Sequence, residues 1–340
     1  MINVQHKCGC GACDELAVVS SEFCWDHVNS KDSYLETLLR AAGENRDLAG
    51  CNLKKVSLRG VLFEKFDFSG SDLSQADMTG SHFFDSKLKG AALIGTDLSS
   101  CDFTHCDIQD ADLTKSKMSG SRLWNSDLSG ANMTEADISF ADFWNAKLFN
   151  IKMWHASLNG VRSVSKSSFS KGKGPLEECR INEDGELSAE ESYRDIKQLF
   201  ASTGRYGDAS WASFKEKTME RRILKKKGSL EYLPSLTMNI LCGYGEKPYR
   251  IILSALSCIL GFAFLYRIFG AIECPASPGT QPGWMDYIYY STITYTTVGY
   301  GDFIPKPHST FRMLAATEAF LGVFLAGLFV FTLARKYSAR

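Results

Sequence analysis

The sequence predicts a multidomain chain: a β-solenoid, a helical hairpin and an all-α membrane domain, preceded by a small cysteine-rich segment. Three observations lead to this fold class. An apolar residue occupies every fifth position from Leu48 to Leu158. Two long apolar runs, Ile251 to Tyr266 and Met313 to Ala334, lie near the C-terminus, and the second contains a single charged residue. Four cysteines and one histidine fall within residues 8–27.

The composition limits which partners and which cellular compartment are expected. The 340 residues carry a formal net charge of −1, so charge indicates no nucleic-acid partner, and none is expected. Clusters of Lys and Arg precede the first apolar run and follow the second. The protein is expected in the plasma (inner) membrane, and the positive-inside rule places both of its termini in the cytoplasm. In that reducing compartment, 11 cysteines favour thiols or metal ligands over disulfides.

The N-terminal cysteines have the spacing of a metal site. Two residues separate Cys10 from Cys13, and two separate Cys24 from His27, which predicts a tetrahedral Cys₃His zinc knuckle. Cys8 forms an equally workable first pair with Cys13, so one of Cys8 and Cys10 is spare. So short a segment cannot bury a core, and bound Zn²⁺ would supply its order. A redox-active or disordered thiol cluster is the alternative interpretation.

The repeat from Leu48 to Leu158 has 23 central positions, and every one is Leu, Met, Phe or Ile. A small residue mostly stands two positions before each of them, as in the unit Ala76-Asp77-Met78-Thr79-Gly80. Neither a helix nor a strand has a period of five. A solenoid does, when one residue of each unit fills the core and a small one packs beside it.

This pattern resembles the pentapeptide-repeat family, from about residue 46 to residue 160. The resemblance implies a right-handed quadrilateral β-solenoid with four units per coil, a little under six coils and roughly 27 Å long. Its expected role is a stiff rod or a surface for a cytoplasmic protein partner. Asp often precedes the central residue, and some members of the family imitate DNA with such a surface. Here Lys87, Lys117 and Lys147 interrupt the acidic pattern.

The region after the repeats has helical character. A Ser-, Lys- and Gly-rich stretch predicts a linker. Ser188 with Glu191 predicts a capping box that begins a helix, and Gly204 separates this helix from a second one. The basic run from Lys215 to Lys227 is either a solvated helix face or a contact for anionic membrane lipids, since the first apolar run follows shortly after.

The stretch Thr296–Asp302 lies between the two apolar runs and carries the sequence TTVGYGD. Carbonyl groups can all face one axis only if neighbouring residues alternate in backbone handedness. Gly299 and Gly301 tolerate the positive φ that this alternation requires. Thr297 can add its hydroxyl as a further oxygen ligand. Trp284 to Tyr295, just upstream, contains no Gly or Pro and predicts a short helix whose C-terminal end points toward this stretch.

The order helix, re-entrant helix, glycine-rich loop, helix resembles the two-transmembrane pore of prokaryotic potassium channels, and TVGYG is the K⁺-filter sequence of such channels. The resemblance implies that carbonyl oxygens replace the water shell of K⁺. One loop gives one oxygen per level, so four chains share the axis as a homotetramer. The selectivity filter is thereby assigned to Thr297, Val298, Gly299, Tyr300 and Gly301.

Residues around the filter are expected to support it. Thr296 and Asp302 flank it. Some related channels pair this Asp with a Glu on the pore helix nine residues earlier, but that position is Ile293 here. Others place a Tyr thirteen residues before the Asp, and Tyr289 matches them. The resemblance therefore implies that Tyr289 holds Asp302 behind the filter.

The second apolar run contains an acid and a glycine of interest. Glu318 lies roughly 9 Å along the helix from Arg312, where a carboxylate is expected to face protein, here Thr292 or Tyr295 of the pore helix. The alternative is a shallow acid that reaches the outer head groups. Gly322 occupies the place where the inner helices of related channels bend, which predicts a gating hinge. Close packing alone would also explain a glycine there.

These patterns divide the chain into five parts. They are the zinc knuckle at 1–30, the solenoid at 44–162, a linker at 163–187, a cytoplasmic helical coupling region at 188–245, and a pore domain at 246–340 with spans at about 249–271 and 311–335, a pore helix at about 285–296 and the filter at 297–301. The predicted function is passive K⁺ conduction without catalysis, with the cytoplasmic domains regulating or assembling the channel. The alternative is a membrane-anchored scaffold in which the solenoid recruits a partner.

Overall fold

The computed structural model divides into two compact units, Met1–Ile223 and Leu224–Arg340. It describes residues 7–10, 16–19, 21–28, 30–31, 33–42, 44, 46–172, 178–276 and 281–338. The first unit contains the repeats and both segments that close their ends. The second unit contains the two apolar runs and the loop between them.

The repeats form a solenoid with 20 residues per coil. Asp47 makes a parallel bridge with Asp67, and the same offset continues in steps of five residues to the bridge between Asp142 and Arg162. Each coil therefore has four five-residue units, as the family resemblance implies. Backbone hydrogen bonds follow the same offset; the Leu73 amide, for example, donates to the Ala92 carbonyl at 2.7 Å. Every coil consequently satisfies its backbone groups on its neighbours.

Side chains at the central positions fill the solenoid. Of the 23 central residues, 22 are buried, and only Leu158, at the last unit, is partly exposed. Phe63, Phe83 and Phe103 stack along the axis, with ring centroids 5.3 Å and 4.9 Å apart. Each unit turns at its fifth residue, which has a positive φ whether it is a glycine such as Gly80 or another residue. The period of five is thus the length of one side of the coil.

The recurrent aspartates have a local structural role. The Asp67 carboxylate accepts a hydrogen bond from the Ser69 amide at 2.9 Å, and the same contact recurs in later units. Cations one coil away pair with several of these acids, as Arg122 does with Asp102 at 2.6 Å. Although burial raises the pKa of the Asp102 carboxyl, hydrogen bonds from Thr104 and Arg122 outweigh this effect and lower it. The acidic pattern therefore stabilises turns, and it needs no nucleic-acid mimicry to explain it.

The N-terminal segment covers the first coil. α1 (Tyr34–Ala42) was not predicted from the sequence. Its Tyr34 hydroxyl donates to the Val19 carbonyl at 2.9 Å, and the Val19 amide donates to Asn52 of the solenoid at 2.9 Å. The Asn52 side chain returns a hydrogen bond to the Ala17 carbonyl at 2.8 Å. These contacts satisfy backbone groups at an end that would otherwise expose a strand edge.

The segment expected as a linker, residues 163–187, is packed at the other end wherever the structure describes it. Lys166–Phe169 form a short 3₁₀ helix, and Ser170 makes an antiparallel bridge with Cys179. Phe169 and Ile181 are fully buried in the solenoid core. Composition suggested a linker because Ser, Lys and Gly dominate, but the few apolar residues between them are the ones that cap the last coil.

Two helices complete the first unit: α2 (Glu186–Ser202) and α3 (Tyr206–Lys226). The expected capping box is absent, because Ser188 donates to the Gly185 carbonyl at 2.8 Å and Glu191 accepts from the Trp154 indole. The buried face of α2 extends the apolar core of the solenoid.

Buried acids join α2 and α3. Glu216 of α3 pairs with Arg194 of α2 at 3.1 Å and with Lys197 of α2 at 2.5 Å. Glu183, just before α2, pairs with Lys215 of α3 at 2.5 Å and with Arg222 at 3.5 Å. Part of the basic run therefore forms ion pairs within the helical hairpin.

The second unit is helical. Its elements are α4 (Tyr232–Cys242), α5 (Pro248–Phe269), β1 (Ile272–Glu273), α6 (Trp284–Tyr295), β2 (Ile304–Pro305) and α7 (Ser309–Ser338). Both α5 and residues 309–334 of α7 are long and apolar enough to cross a membrane. These bounds lie within a few residues of the predicted spans. The antiparallel pairing of β1 with β2 was not predicted, and it joins the chain after the glycine-rich loop to the chain that follows α5.

Candidate functional site

The glycine-rich loop begins where α6 ends. Thr297, Gly299 and Gly301 have φ values of 57°, 52° and 82°, so positive φ occurs at every second residue. This is the alternation that directs successive carbonyls to one side. Sequence reasoning predicted it for the two glycines and missed it at Thr297. The side chains of Val298 and Tyr300 are 52% and 74% exposed in the single chain.

Hydrogen bonds fix the base of the loop to α6. The amides of Val298 and Gly299 both donate to the Ile293 carbonyl, at 2.9 Å and 3.3 Å. The Thr297 hydroxyl donates to the Thr296 carbonyl at 2.7 Å. A hydroxyl that donates its hydrogen keeps its lone pairs, so the Thr297 oxygen retains the capacity to coordinate a cation.

Asp302 lies behind the loop beside Tyr289. The Tyr289 phenol and the Asp302 carboxylate lie close enough to interact. The same carboxylate accepts the Phe303 amide at 3.1 Å, and the Tyr289 and Phe303 rings meet edge to face with centroids 6.2 Å apart. The structure therefore brings together the two residues that the family resemblance pairs.

Glu318 is fully buried and connects three helices. Its carboxyl contacts the Tyr266 hydroxyl of α5 at 2.6 Å and the Ser291 hydroxyl of α6. The expected partners were Thr292 or Tyr295, but Thr292 donates to the Ile288 carbonyl of its own helix at 2.8 Å. The carboxyl faces α6 as predicted, one residue away from the expected contact, and not the outer head groups.

The number of hydrogens available at Ser291 bears on whether Glu318 is protonated. The Ser291 hydroxyl lies 2.8 Å from the Ile259 carbonyl and also contacts Glu318. A hydroxyl carries one hydrogen, so two separate hydrogen bonds, in contrast to one shared three-centre bond, need a second hydrogen, which a protonated Glu318 would supply. A protonated Glu318 that donates to Ser291 and accepts from Tyr266 leaves none of these groups unsatisfied.

Tyr266 and Ser291 are site residues that sequence reasoning missed. Two signals in the sequence could have found them: a lone serine among the aromatic residues of α6, and a tyrosine at the last turns of an apolar span whose hydroxyl needs a partner when it is buried. Only the pairing across 52 residues between Tyr266 and Glu318 was beyond such reasoning.

At Gly322, α7 approaches the backbone of α6 closely. A Cβ atom at this position would lie 2.0 Å from the Tyr295 carbonyl oxygen and 2.9 Å from its carbon. No side chain fits there unless the helices separate. The packing explanation therefore accounts for this glycine, whereas Gly327, one and a half turns further along α7, has nothing within 4 Å of such a Cβ.

The N-terminal Cys and His residues form a second cluster. Ligand atoms of Cys8, Cys10 and His27 lie within 4.8 Å of one another. The Nδ1 atom of His27 is 3.7 Å from the Cys8 sulfur and 3.1 Å from the Cys24 sulfur. Ligands around a tetrahedral zinc ion are separated by roughly 3.5 Å, so these donors fit the metal. Cys13, also expected as a ligand, lies outside the described residues.

The surroundings of Cys8 favour a thiolate, the form that binds metal. Burial raises the pKa of its thiol, but hydrogen bonds from the backbone and side chains of Cys24 and Cys10 outweigh burial and lower it to about 6. Both Cys8 and Cys10 lie in the cluster, so the structure does not identify either of them as the spare cysteine.

Comparisons with known proteins assign families to both regions. Residues 254–339 match the family model described as ion channel, and residues 47–85, 81–120 and 116–154 match that for pentapeptide repeats. The potassium channel protein Kcv of Paramecium bursaria Chlorella virus 1 is 39% identical over 49 residues, which cover 13% of this chain and 52% of that protein. The chain thus spans about half the length of the curated relative that it matches.

Similar solved structures match the repeats. One is a pentapeptide repeat protein (Rfr23) of the cyanobacterium Cyanothece 51142, with 20% identity, 38% of this chain and 94% of that chain covered, and a TM-score of 0.28. Another is HetL of Nostoc sp. strain PCC 7120, with 20% identity, 40% and 93% covered, and a TM-score of 0.20. Residues 254–339 are thus similar to ion-channel domains and follow a region similar to pentapeptide repeats, which points to a non-enzymatic role, as predicted from the sequence.

Proposed function

We propose that this chain is the subunit of a homotetrameric channel that conducts K⁺ selectively and passively across the plasma (inner) membrane. One observation carries the proposal: positive φ at every second residue of Thr297–Gly301, in a loop that begins at the end of α6 and lies in sequence between two spans. Such a backbone presents a column of carbonyl oxygens, and K⁺ exchanges its water shell for them. The filter side chains that are exposed in a single chain would contact the other three subunits of the tetramer.

The surroundings of the filter support a rigid loop. Tyr289 and Asp302 hold its outer end, and Glu318 holds α6 to α5 and α7 through Ser291 and Tyr266. Because α6 ends at the filter, the partial negative charge at its C-terminus favours a cation there. These residues position the backbone and do not themselves contact the ion.

Orientation follows from charge. Basic residues before α5 and after α7 place both termini in the cytoplasm under the positive-inside rule, together with the solenoid and the N-terminal cluster. Neither apolar segment carries the repeated arginines of a voltage sensor, so a signal other than voltage is expected to act through the cytoplasmic part.

The N-terminal cluster is proposed to hold one structural Zn²⁺ per chain, bound by residues among Cys8, Cys10, Cys13, Cys24 and His27. The described donors fit the ion in type and spacing. Metal analysis of the purified protein should find about one equivalent of zinc. Less than about half an equivalent would contradict a structural site.

The channel proposal is tested by ion flux. The full-length protein, reconstituted into liposomes, should support K⁺ flux that is blocked by Ba²⁺, an ion of similar size that binds more tightly to a K⁺ filter. Na⁺ should be excluded under the same gradient. Equal permeability to Na⁺ and K⁺ would refute the selective filter, whereas an absence of any flux would refute the channel.

A membrane-anchored scaffold is the second candidate, and one observation favours it. Leu62, Phe140 and Trp144 on the outside of the solenoid are 63%, 61% and 55% exposed. Trp124 contacts Trp144 across adjacent coils with centroids 6.1 Å apart. Such a surface suits a cytoplasmic protein partner. Replacing Phe140 and Trp144 with Ser should leave K⁺ flux unchanged if the surface serves a partner alone.

A further inference from the structure

α4 has an apolar face that no described residue covers. Leu230, just before the helix, and Leu233 and Ile240 within it are 86%, 60% and 58% exposed. Leu233 and Ile240 are seven residues apart, which is two helical turns, so they lie on one side of α4. We call these three residues the α4 outer face. In water this face would expose adjacent large apolar side chains at a cost that soluble proteins avoid.

The opposite face of α4 is fixed to the two spans. Cys242 is fully buried in a cluster with Ile251 of α5 and Leu325 of α7, and Met238 and Leu241 pack against that cluster. α4 therefore contacts the first turn of one span and the second half of the other.

A polar contact fixes the same helix from its end. The guanidinium of Arg250 donates to the Asn239 carbonyl at 2.6 Å, in the last turn of α4, where this carbonyl also accepts the Gly243 amide at 3.1 Å. Gly243 ends the helix in the left-handed conformation, and five residues later Pro248 begins α5. The outer face is thus attached closely to the start of a membrane span.

We propose that the α4 outer face lies in the boundary between head groups and acyl chains on the cytoplasmic side, and that anionic lipid head groups bind Lys225, Lys226 and Lys227 beside it. Two features select this occupant. The face is continuous with a helix apolar enough to span the membrane. The residues leading to it, 224–230, contain three lysines and no acid, which complements an anionic surface.

The interface would reach the channel through α7. Because Leu325 of α7 is buried against α4, lipid that holds α4 at the boundary also holds the inner half of α7 in the arrangement seen here. This consequence rests on the proposed channel function. The lipid contact itself does not, so the two can fail separately.

The test uses hydrogen–deuterium exchange of the full-length protein in nanodiscs of phosphatidylcholine with and without phosphatidylglycerol. Amides of residues 224–242 should exchange more slowly with phosphatidylglycerol, by at least about fivefold, the contribution expected of one lysine at an anionic surface. The triple substitution Lys225→Gln, Lys226→Gln and Lys227→Gln should remove that difference. The pair Leu233→Ser and Ile240→Ser should speed exchange in both lipids.

A matched control removes the same charge elsewhere. Lys87, Lys117 and Lys147 of the solenoid each pair with an aspartate one coil away, and their substitution by Gln should leave the lipid dependence intact. Equal exchange of α4 in both lipids would overturn the proposal. So would protection that survives in lipid-free detergent and disappears only when subunits dissociate, since a second copy of the chain would then cover the face.

Discussion

The solenoid and the membrane unit differ in how much of their structure one chain completes. In the solenoid, each coil bonds to the next, and 22 of the 23 central side chains are buried without any partner chain. In the membrane unit, side chains of the glycine-rich loop remain exposed, with Tyr300 at 74%. The solenoid is therefore specified by short-range repetition, whereas the proposed conduction site would be completed by assembly. A substitution in the solenoid is expected to act locally, and one in the loop would act in all four subunits of the proposed tetramer.

The largest expected effect is at the filter. Gly299→Ala places a Cβ on a residue with φ of 52°, which costs about 1–2 kcal/mol per chain, and four chains share the ring. Selective K⁺ flux in liposomes should be lost. Gly261→Ala in α5, where a Cβ meets nothing within 4 Å, is the matched control and should conduct normally. Selective flux in the Gly299 variant would mean that this backbone does not form the filter.

Substitutions in the solenoid should change its stability and leave the ion selectivity of the protein unchanged. Phe103→Ala removes a ring buried between coils and should lower the free energy of unfolding of the solenoid by about 3–5 kcal/mol, as measured by denaturant titration. Trp144→Ala, at a 55% exposed ring, should cost less than about 1 kcal/mol. The ion selectivity of both variants should be unchanged. A change in selectivity would show that the two regions are not independent in this way.

The third prediction concerns the contact of α7 with α6. Gly322→Ala forces a Cβ against the Tyr295 carbonyl and should destabilise the membrane unit by about 1–3 kcal/mol. Gly327→Ala, on the same helix with open space, should be tolerated. Thermal stability in detergent separates this result from the hinge hypothesis, which predicts altered opening of Gly322→Ala at unchanged stability. The hinge stays a prediction until that measurement.

The smallest expected effect distinguishes the two states of Glu318. Glu318→Ala leaves Tyr266 and Ser291 without their buried partner and should cost about 1–3 kcal/mol. Glu318→Gln keeps an acceptor for Tyr266 and a donor for Ser291, so its thermal stability and K⁺ flux should stay close to those of the unmodified protein. If the Gln variant is as unstable as the Ala variant, Glu318 is not the neutral donor that the hydrogen count indicates.

The sequence was most informative where a physical period was present. A period of five fixes the length of one side of the coil, so the core of the solenoid followed residue by residue. It was less informative at the ends of the solenoid, because residues such as Phe169 and Ile181 show no periodicity and are buried only by the coil they cover. α1 and the pairing of β1 with β2 were missed for the same reason: both depend on a surface made elsewhere in the chain.

The sequence motif of the candidate site could be recognised in advance, but the side-chain contacts between its helices could not. Thr297–Gly301 were recognisable by their resemblance to a K⁺ filter, and the glycines predicted positive φ at Gly299 and Gly301 but not at Thr297. The partner of Glu318 could not be derived, since the rotation of α6 about its own axis decides whether Ser291 or Thr292 faces the carboxyl. The close approach of α7 to α6 at Gly322 was equally hidden, because the sequence shows it only as one glycine among several.

Bridged positions in this solenoid are 20 residues apart. Because of this offset, a change in the number of repeats can alter the length of the solenoid without altering the direction in which α2 leaves it. Removing one coil of 20 residues would shorten it by about 4.8 Å and leave α2 on the same side, because every later residue keeps its angular position. Removing one unit of five residues would instead turn α2 and everything after it by a quarter of a revolution. Duplication or loss of repeats can thus adjust the length of the solenoid in steps, and only multiples of four units preserve the direction in which α2 leaves it.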